Sequence, residues 1–205
     1  MNALKKESCV AYAGIDEAGR GPLAGPIAVG ILYARERNLV LPFFKKVRDS
    51  KQLSRQKREI IYEELKKEAR AGRVSFAVSF VGPQVIDRVG INTATRIAIE
   101  RCLKKVGCGI GTHVLLDGGL RAPREFLYQE TIIRGDEKEA LIALASIVAK
   151  VRRDIKMEHI AMRYPEYLFE EHKGYGTKIH VKLLRKWKPC AIHRKTYLKN
   201  LKLAV

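Results

Sequence analysis

Two adjacent carboxylates, Asp16 and Glu17, end an apolar run that enters through Cys9, Val10 and Ala11, and Gly19-Arg20-Gly21-Pro22 follows at once. Two charges beside a core demand compensation. Asp117 ends a second apolar run, His113 to Asp117, ahead of Gly118-Gly119, and Asp136 follows a third, Thr131 to Arg134. In α/β sheets, strand ends are where ligands collect. Carboxylates gathered there without a basic partner nearby in sequence suit hard divalent cations such as Mg²⁺ or Mn²⁺, and would repel one another without them. Taken singly, Asp117 reads as an ordinary turn acid, and Asp136 with Glu139 equally matches a capping box. Taken together, the acids favour a metal site. Two ions about 4 Å apart would activate a water and stabilise a leaving oxygen, the chemistry of phosphodiester hydrolysis.

Elements that would position these acids are legible around them. Residues 9–16 and 26–34 read as strands of a hairpin, with the bend at Gly19-Arg20-Gly21 bringing Asp16 and Glu17 to one end. Residues 35–53 are basic and mixed. Ser54 caps a helix running to about Ala71, residues 74–81 alternate as a strand, and Pro83 stops it. A helix from Asn92 or Thr93 to Val106, strands at 113–117 and 131–134, a long helix from about Glu137 to Arg163 and a last one from Ile179 to Trp187 complete the reading. Strand–helix alternation with helices for both faces predicts an α/β fold built on a mixed sheet. One domain is expected over 1–205: a core at 9–163, with a basic helical segment at 164–205 packed on it.

Lys and Arg number 40 against 22 Asp and Glu, a formal net charge of +18 in 205 residues. After Glu171 there is no further acid, while ten Lys and Arg follow. Such a field attracts polyanions, nucleic acid first and acidic membrane second. No apolar run approaches the roughly 20 residues a membrane-spanning helix needs, so no membrane partner is expected. Met1 to Ser8 is polar and charged, unlike a signal peptide. The four cysteines form no Cys-x-x-Cys pair, which argues against zinc and a disulfide framework and for a reducing, cytoplasmic setting.

Two glycine-rich stretches offer more. Bare backbone at Gly19-Arg20-Gly21 could approach a sugar and bond a 2′-hydroxyl, the group that separates RNA from DNA; a plain tight turn is the simpler reading of three residues. In His172-Lys173-Gly174-Tyr175-Gly176-Thr177, Tyr175 could stack on a sugar or base, or pack on the core.

In order along the chain, Gly14-Ile15-Asp16-Glu17-Ala18-Gly19-Arg20-Gly21-Pro22, Asp49-Ser50-Lys51-Gln52-Leu53-Ser54, Leu115-Leu116-Asp117-Gly118, Gly135-Asp136 with Ala145-Ser146-Ile147-Val148-Ala149-Lys150-Val151-Arg152-Arg153-Asp154, His172 to Thr177 and Ile192-His193-Arg194 resemble the conserved blocks of type 2 ribonuclease H (ribonuclease HII). The resemblance implies a ribonuclease H-like fold with a mixed five-stranded sheet flanked by helices and a helical, basic C-terminal segment. It implies a metal-dependent endoribonuclease acting as a monomer on RNA–DNA hybrids and on duplex DNA containing ribonucleotides. Asp16, Glu17, Asp117 and Asp136 would be catalytic and hold two Mn²⁺ or Mg²⁺ ions. Gly19, Arg20 and Gly21 would read the 2′-hydroxyl at an RNA–DNA junction, and Tyr175 would press on the adjoining deoxyribose. Lys51, Lys150 and Arg153 would be phosphate or active-site neighbours. The chain departs from the family's usual pattern at Leu144, at Trp187-Lys188-Pro189-Cys190 and at Thr196-Tyr197, where a Ser-Phe pair is typical. A junction resolvase of the same broad fold and a non-catalytic nucleic-acid binder are the rival readings.

Overall fold

The computed structural model describes residues 11–48 and 54–201. Strand β1 (Tyr12–Ala18) turns back antiparallel into β2 (Ile27–Ala34), followed by α1 (Leu41–Arg48), α2 (Arg55–Arg70) and β3 (Val74–Val81). Next come α3 (Pro83–Val89), α4 (Ile91–Lys105), β4 (His113–Asp117), β5 (Gln129–Ile132), the single turn α5 (Gly135–Lys138) and the long α6 (Ala140–Ala161). The C-terminal segment holds α7 (Phe169–His172), α8 (Lys178–Trp187) and α9 (Lys195–Leu198). The strands form one sheet in the order β3-β2-β1-β4-β5. β1–β2 and β2–β3 are antiparallel, β1–β4 and β4–β5 parallel.

Alternation along the strands builds two cores. Ala13, Ile15, Val29, Ile31, Val114 and Leu116 meet α4 and α3 on one face. Leu32, Ala34 and Leu115 meet α6 and α2 on the other. A third apolar group, with Ala24, Met157, Tyr167, Phe169 and Leu184 at its centre, seats the C-terminal segment against the end of α6.

The central contact is α6 lying directly on β1 and β2. It is close because two strand positions carry no side chain. A Cβ on Gly14 would stand 2.2 Å from the Leu141 carbonyl carbon, and one on Gly30 would stand 2.3 Å from the Ala145 carbonyl oxygen. Both obstacles are helix backbone, which cannot swing aside, so overpacking must move the whole helix. Gly30→Ala should therefore cost about 3 kcal/mol, read as a lowered midpoint in thermal denaturation. Gly30 is the register partner of Asp16, so the same change should also disturb the acid beside it.

Several boundaries differ from expectation for local reasons. Pro83 does not merely stop β3: Gly82 caps and Pro83 opens the short helix α3, since proline suits the first helical position. The basic stretch after β2 contains α1. β5 lies at Gln129–Ile132, two residues earlier than read. The long helix is split, because Glu139 is extended (φ −125°, ψ 121°) between α5 and α6. Glu139 caps α6 itself, accepting from the Leu141 N–H at 3.4 Å, and pairs with Arg37. The capping-box reading of Asp136 with Glu139 is thereby corrected.

Candidate active site

Parallel pairing of β1 with β4 runs from Tyr12–His113 to Ile15–Leu116. The next step in that register brings Asp16 beside Asp117, where the two strands part. Asp16 follows Gly14 onto the α6 face, and Asp117 follows Leu115 onto the same face. Glu17 follows Ile15 onto the α4 face. β1 continues as strand to Ala18, so the two neighbouring acids stand at one end of the sheet and point to opposite faces, as strand alternation requires.

Asp16 is 6% exposed. Its carboxylate accepts from the Glu17 N–H at 2.7 Å and from the Ser146 hydroxyl on α6. Burial, with Glu17 and Asp117 adding like charge, raises its pKa to about 7 against those two hydrogen bonds. Glu17 is also raised, by burial first and then by Asp117, and Arg20 opposes that shift. The Arg20 guanidinium stands 3.6 Å from the Glu17 carboxylate and hydrogen-bonds Asn92. Asp117 accepts from the Gly135 N–H at 2.7 Å, which fixes the start of α5 and hence Asp136. Burial raises Asp136 as well, with Asp117 and Glu137 contributing.

A cleft of about 200 Å³ opens beside these acids, lined by Asp136, Ser146, Lys150 and Arg58 among others. Lys150 pairs there with Asp154 at 2.6 Å. Hard oxygen donors that raise one another's protonation are a donor set suited to a divalent cation. In their present arrangement, no three Asp, Glu, His or Cys side chains among the described residues form a ready metal cage. The donor chemistry fits, and a bound ion would have to draw the carboxylates together.

The Gly19–Pro26 turn is held from beneath by two buried arginines. Arg153, on α6, donates to the carbonyls of Pro26 and Lys173 at 3.0 Å and of Ala24 at 3.4 Å. Arg194 donates to Gly19 at 2.6 Å, Arg20 at 2.8 Å and Gly25 at 3.0 Å. Both are fully buried, and burial lowers Arg194 to about 10, which leaves it cationic at neutral pH. Gly19 has φ +87°, and a Cβ there would stand 2.0 Å from Arg153 Nε, so glycine is required on both counts. Gly21 has open space where a Cβ would be, leaving its backbone approachable.

Tyr175 joins this unit from the C-terminal segment. It is 42% exposed, with the Arg153 guanidinium 5.7 Å from its ring centroid. Gly174 O accepts from the N–H groups of Leu23 and Ala24 at 2.9 and 3.3 Å. The Tyr175 carbonyl is bonded to His180 Nδ1 at 2.8 Å, and His180 meets His193 at 3.2 Å. Burial holds both imidazoles down near 4, so the pair is neutral packing at physiological pH. Tyr197, one of the departures from the usual pattern, donates to the Arg20 carbonyl at 3.1 Å.

The structure thus brings Asp16, Asp117 and Asp136 to the α6 side, with Lys150 in the adjoining cleft, and sets Glu17 with Gly19, Arg20 and Gly21 across the sheet edge. Tyr175 stands beside that turn. Arg153 lies below it, committed to backbone carbonyls rather than open to a phosphate. Lys51 and its Asp49–Leu53 block lie outside the described residues. Sequence reasoning missed Ser146, Asn92 and Arg194 as contributors to the site. The only signal for Arg194 was its place after His193 in a recognisable block.

Comparison with known proteins places the chain in a family. The family profile for Ribonuclease HII matches residues 13–200. The Ribonuclease HII of Caldicellulosiruptor bescii is 43% identical over 189 residues, covering 92% of this chain and 86% of that protein. Among solved structures, the PCNA:RNase HII complex from Archaeoglobus fulgidus superposes with a TM-score of 0.73 at 23% identity, covering 95% of this chain and 98% of that one. Bst-RNase HIII in complex with Mn²⁺ superposes with a TM-score of 0.67 at 19% identity over 88% of this chain and 62% of that one. A profile match across nearly the whole chain, on a sheet that sets acids at the parting of β1 and β4, makes this chain a member of the ribonuclease HII family, a hydrolase of the ribonuclease H type.

Proposed function

We propose that this nuclease hydrolyses the RNA strand of RNA–DNA hybrids and cuts on the 5′ side of single ribonucleotides embedded in duplex DNA. Ribonucleotide excision repair and RNA primer removal would be its uses. The observation that carries this reading is the double clasp of Arg153 and Arg194, which joins the turn following the acids to the segment bearing Tyr175. One rigid unit then presents approachable backbone for a 2′-hydroxyl and an exposed ring for the next sugar, beside carboxylates suited to cations.

Asp16, Glu17, Asp117 and Asp136 would hold two Mg²⁺ or Mn²⁺ ions, in keeping with the Mn²⁺ complex of Bst-RNase HIII, which has the same fold. When bound, the ions supply Lewis-acid activation of water and charge stabilisation at the leaving oxygen. Ser146 orients the Asp16 carboxylate, and Asp117 holds the α5 turn so that Asp136 faces the cleft. Arg20 withdraws part of the charge of Glu17 before substrate arrives. Lys150, and Lys51 by resemblance, would face phosphates. Arg153 positions the turn.

Two measurements test the reading. Cleavage-site mapping on duplex DNA with one ribonucleotide, in Mg²⁺ and in Mn²⁺, should show a cut 5′ to that ribonucleotide; cleavage of continuous hybrids alone would remove the junction role of Arg20 and Tyr175. Asp136→Asn should lower kcat at least about a hundredfold and leave duplex affinity within about twofold, because it weakens a cation ligand and not the basic surface. Near-normal turnover by that variant would take Asp136 out of the mechanism.

A further inference from the structure

On the α4 face, a cleft of about 480 Å³ starts at Glu17 and Arg20 and runs between α4 and the loop after β4. A second cleft of about 380 Å³ continues it toward the β4–β5 connection, and the two share Arg96 and Arg121. Arg124 lines the far part. Arg96, Arg121 and Arg124 are exposed, and none of the three guanidiniums has an ion pair or hydrogen bond among the described residues. The one acid on the far part, Glu100, is already engaged by Lys104 at 2.8 Å. A groove with three unmatched guanidiniums in series, opening at the reading turn, has the form of a track for a polyanion.

We infer that this groove carries the sugar–phosphate backbone of the nucleic acid beyond the cut, about one phosphate to each of Arg96, Arg121 and Arg124. The inference rests on the proposed function for the identity of the ligand, and it adds a binding surface on the face opposite α6. Guanidinium forks meet phosphate oxygens bidentately, which fixes register along the strand as well as adding affinity. The contribution is sequence-independent and sensitive to salt.

The test is equilibrium binding of the full chain to a duplex carrying one ribonucleotide, in EDTA so that nothing turns over, across a range of NaCl. The triple variant Arg96→Gln, Arg121→Gln, Arg124→Gln is compared with a control that loses the same charge from α2, Lys57→Gln, Lys67→Gln, Arg70→Gln. The groove variant should bind at least about tenfold more weakly near 0.1 M salt, with the slope of log K against log salt shallower by about 2 to 3. Methylphosphonates placed singly along the strand should weaken the wild type at a short run of positions and have no further effect there in the groove variant. An unchanged slope, an equal loss in the α2 control, or identical methylphosphonate profiles for wild type and groove variant would overturn the inference. Because binding is read without turnover, failure of the wild type to cut would sink the function reading and leave this result standing on its own.

Discussion

Asp16→Asn should inactivate the enzyme and at the same time make it harder to melt. The carboxylate is buried, beside two other acids, and its pKa is raised to about 7. An acid whose folded pKa lies above its unfolded value takes up a proton on folding. Its contribution therefore favours the fold at low pH and is lost as pH rises from about 4 through about 7, up to a ceiling of about 4 kcal/mol. Asparagine keeps an acceptor for the Ser146 hydroxyl and the Glu17 N–H without the charge. At pH 8 and without divalent ions, the variant should melt several degrees higher than the wild type, at about 2–4 °C per kcal/mol for a chain of this size. At pH 5 about a third of that gap should remain, and the two should converge only below about pH 4. Adding Mg²⁺ or Mn²⁺ should raise the wild type's midpoint and leave the variant's nearly still, since a cation that binds only the folded acids stabilises by mass action. Calorimetry at two pH values, with and without the ion, reads all of this beside a turnover assay expected to fall by about a thousandfold or more. Equal midpoints at pH 8 would mean that Asp16 is compensated in a way this geometry does not provide.

Arg194→Gln should produce the opposite pairing: a less stable protein whose turnover is spared more than its discrimination. Three carbonyls of the Gly19–Pro26 turn, on Gly19, Arg20 and Gly25, lose charge-assisted partners. At about 1–3 kcal/mol for each buried group left unpaired, partly relieved by relaxation, a loss of about 3 kcal/mol is expected. Arg194→Lys should not rescue it, because a single ammonium cannot reproduce the planar fork. The readout specific to positioning is the ratio of kcat/KM on a single embedded ribonucleotide to that on a continuous hybrid. It should fall in both variants at a temperature where each is fully folded. An unchanged ratio would reduce Arg194 to a packing residue.

Much of this site could be read before any coordinates. Val74–Val81 and His113–Asp117 were legible as strands to the residue, because alternation and flanking breakers leave little freedom. The acids were legible as a set because each closes an apolar run. What could not be read was whether the turn after them would override the alternation of the strand. Whether Asp16 and Glu17 share a face depends on β1 continuing to Ala18, and that is decided by pairing with Val29 and Ala28, not by the Gly-Arg-Gly turn next door. Nor could the turn's support be read. Arg153 was expected as a phosphate or active-site neighbour, and Arg194 was one of ten basic residues after Glu171; their complete burial beneath the turn could not be read from either setting. The split of the long helix escaped for a similar reason. Glu139 has good helical propensity, yet it stands as the extended N-cap of α6 and pairs with Arg37, far away in sequence.

The clasp on the Gly19–Pro26 turn also has a history in time. Its carbonyls at Gly19 and Gly25 wait for a donor 175 and 169 residues downstream, among the longest loops this chain closes. Long-range closures come late in folding, and on the ribosome they cannot form until the distal partner has emerged. Every acid of the site lies N-terminal to Arg194, so the carboxylates emerge first and the clasp between the turn and the C-terminal segment is the last part of the site to be completed.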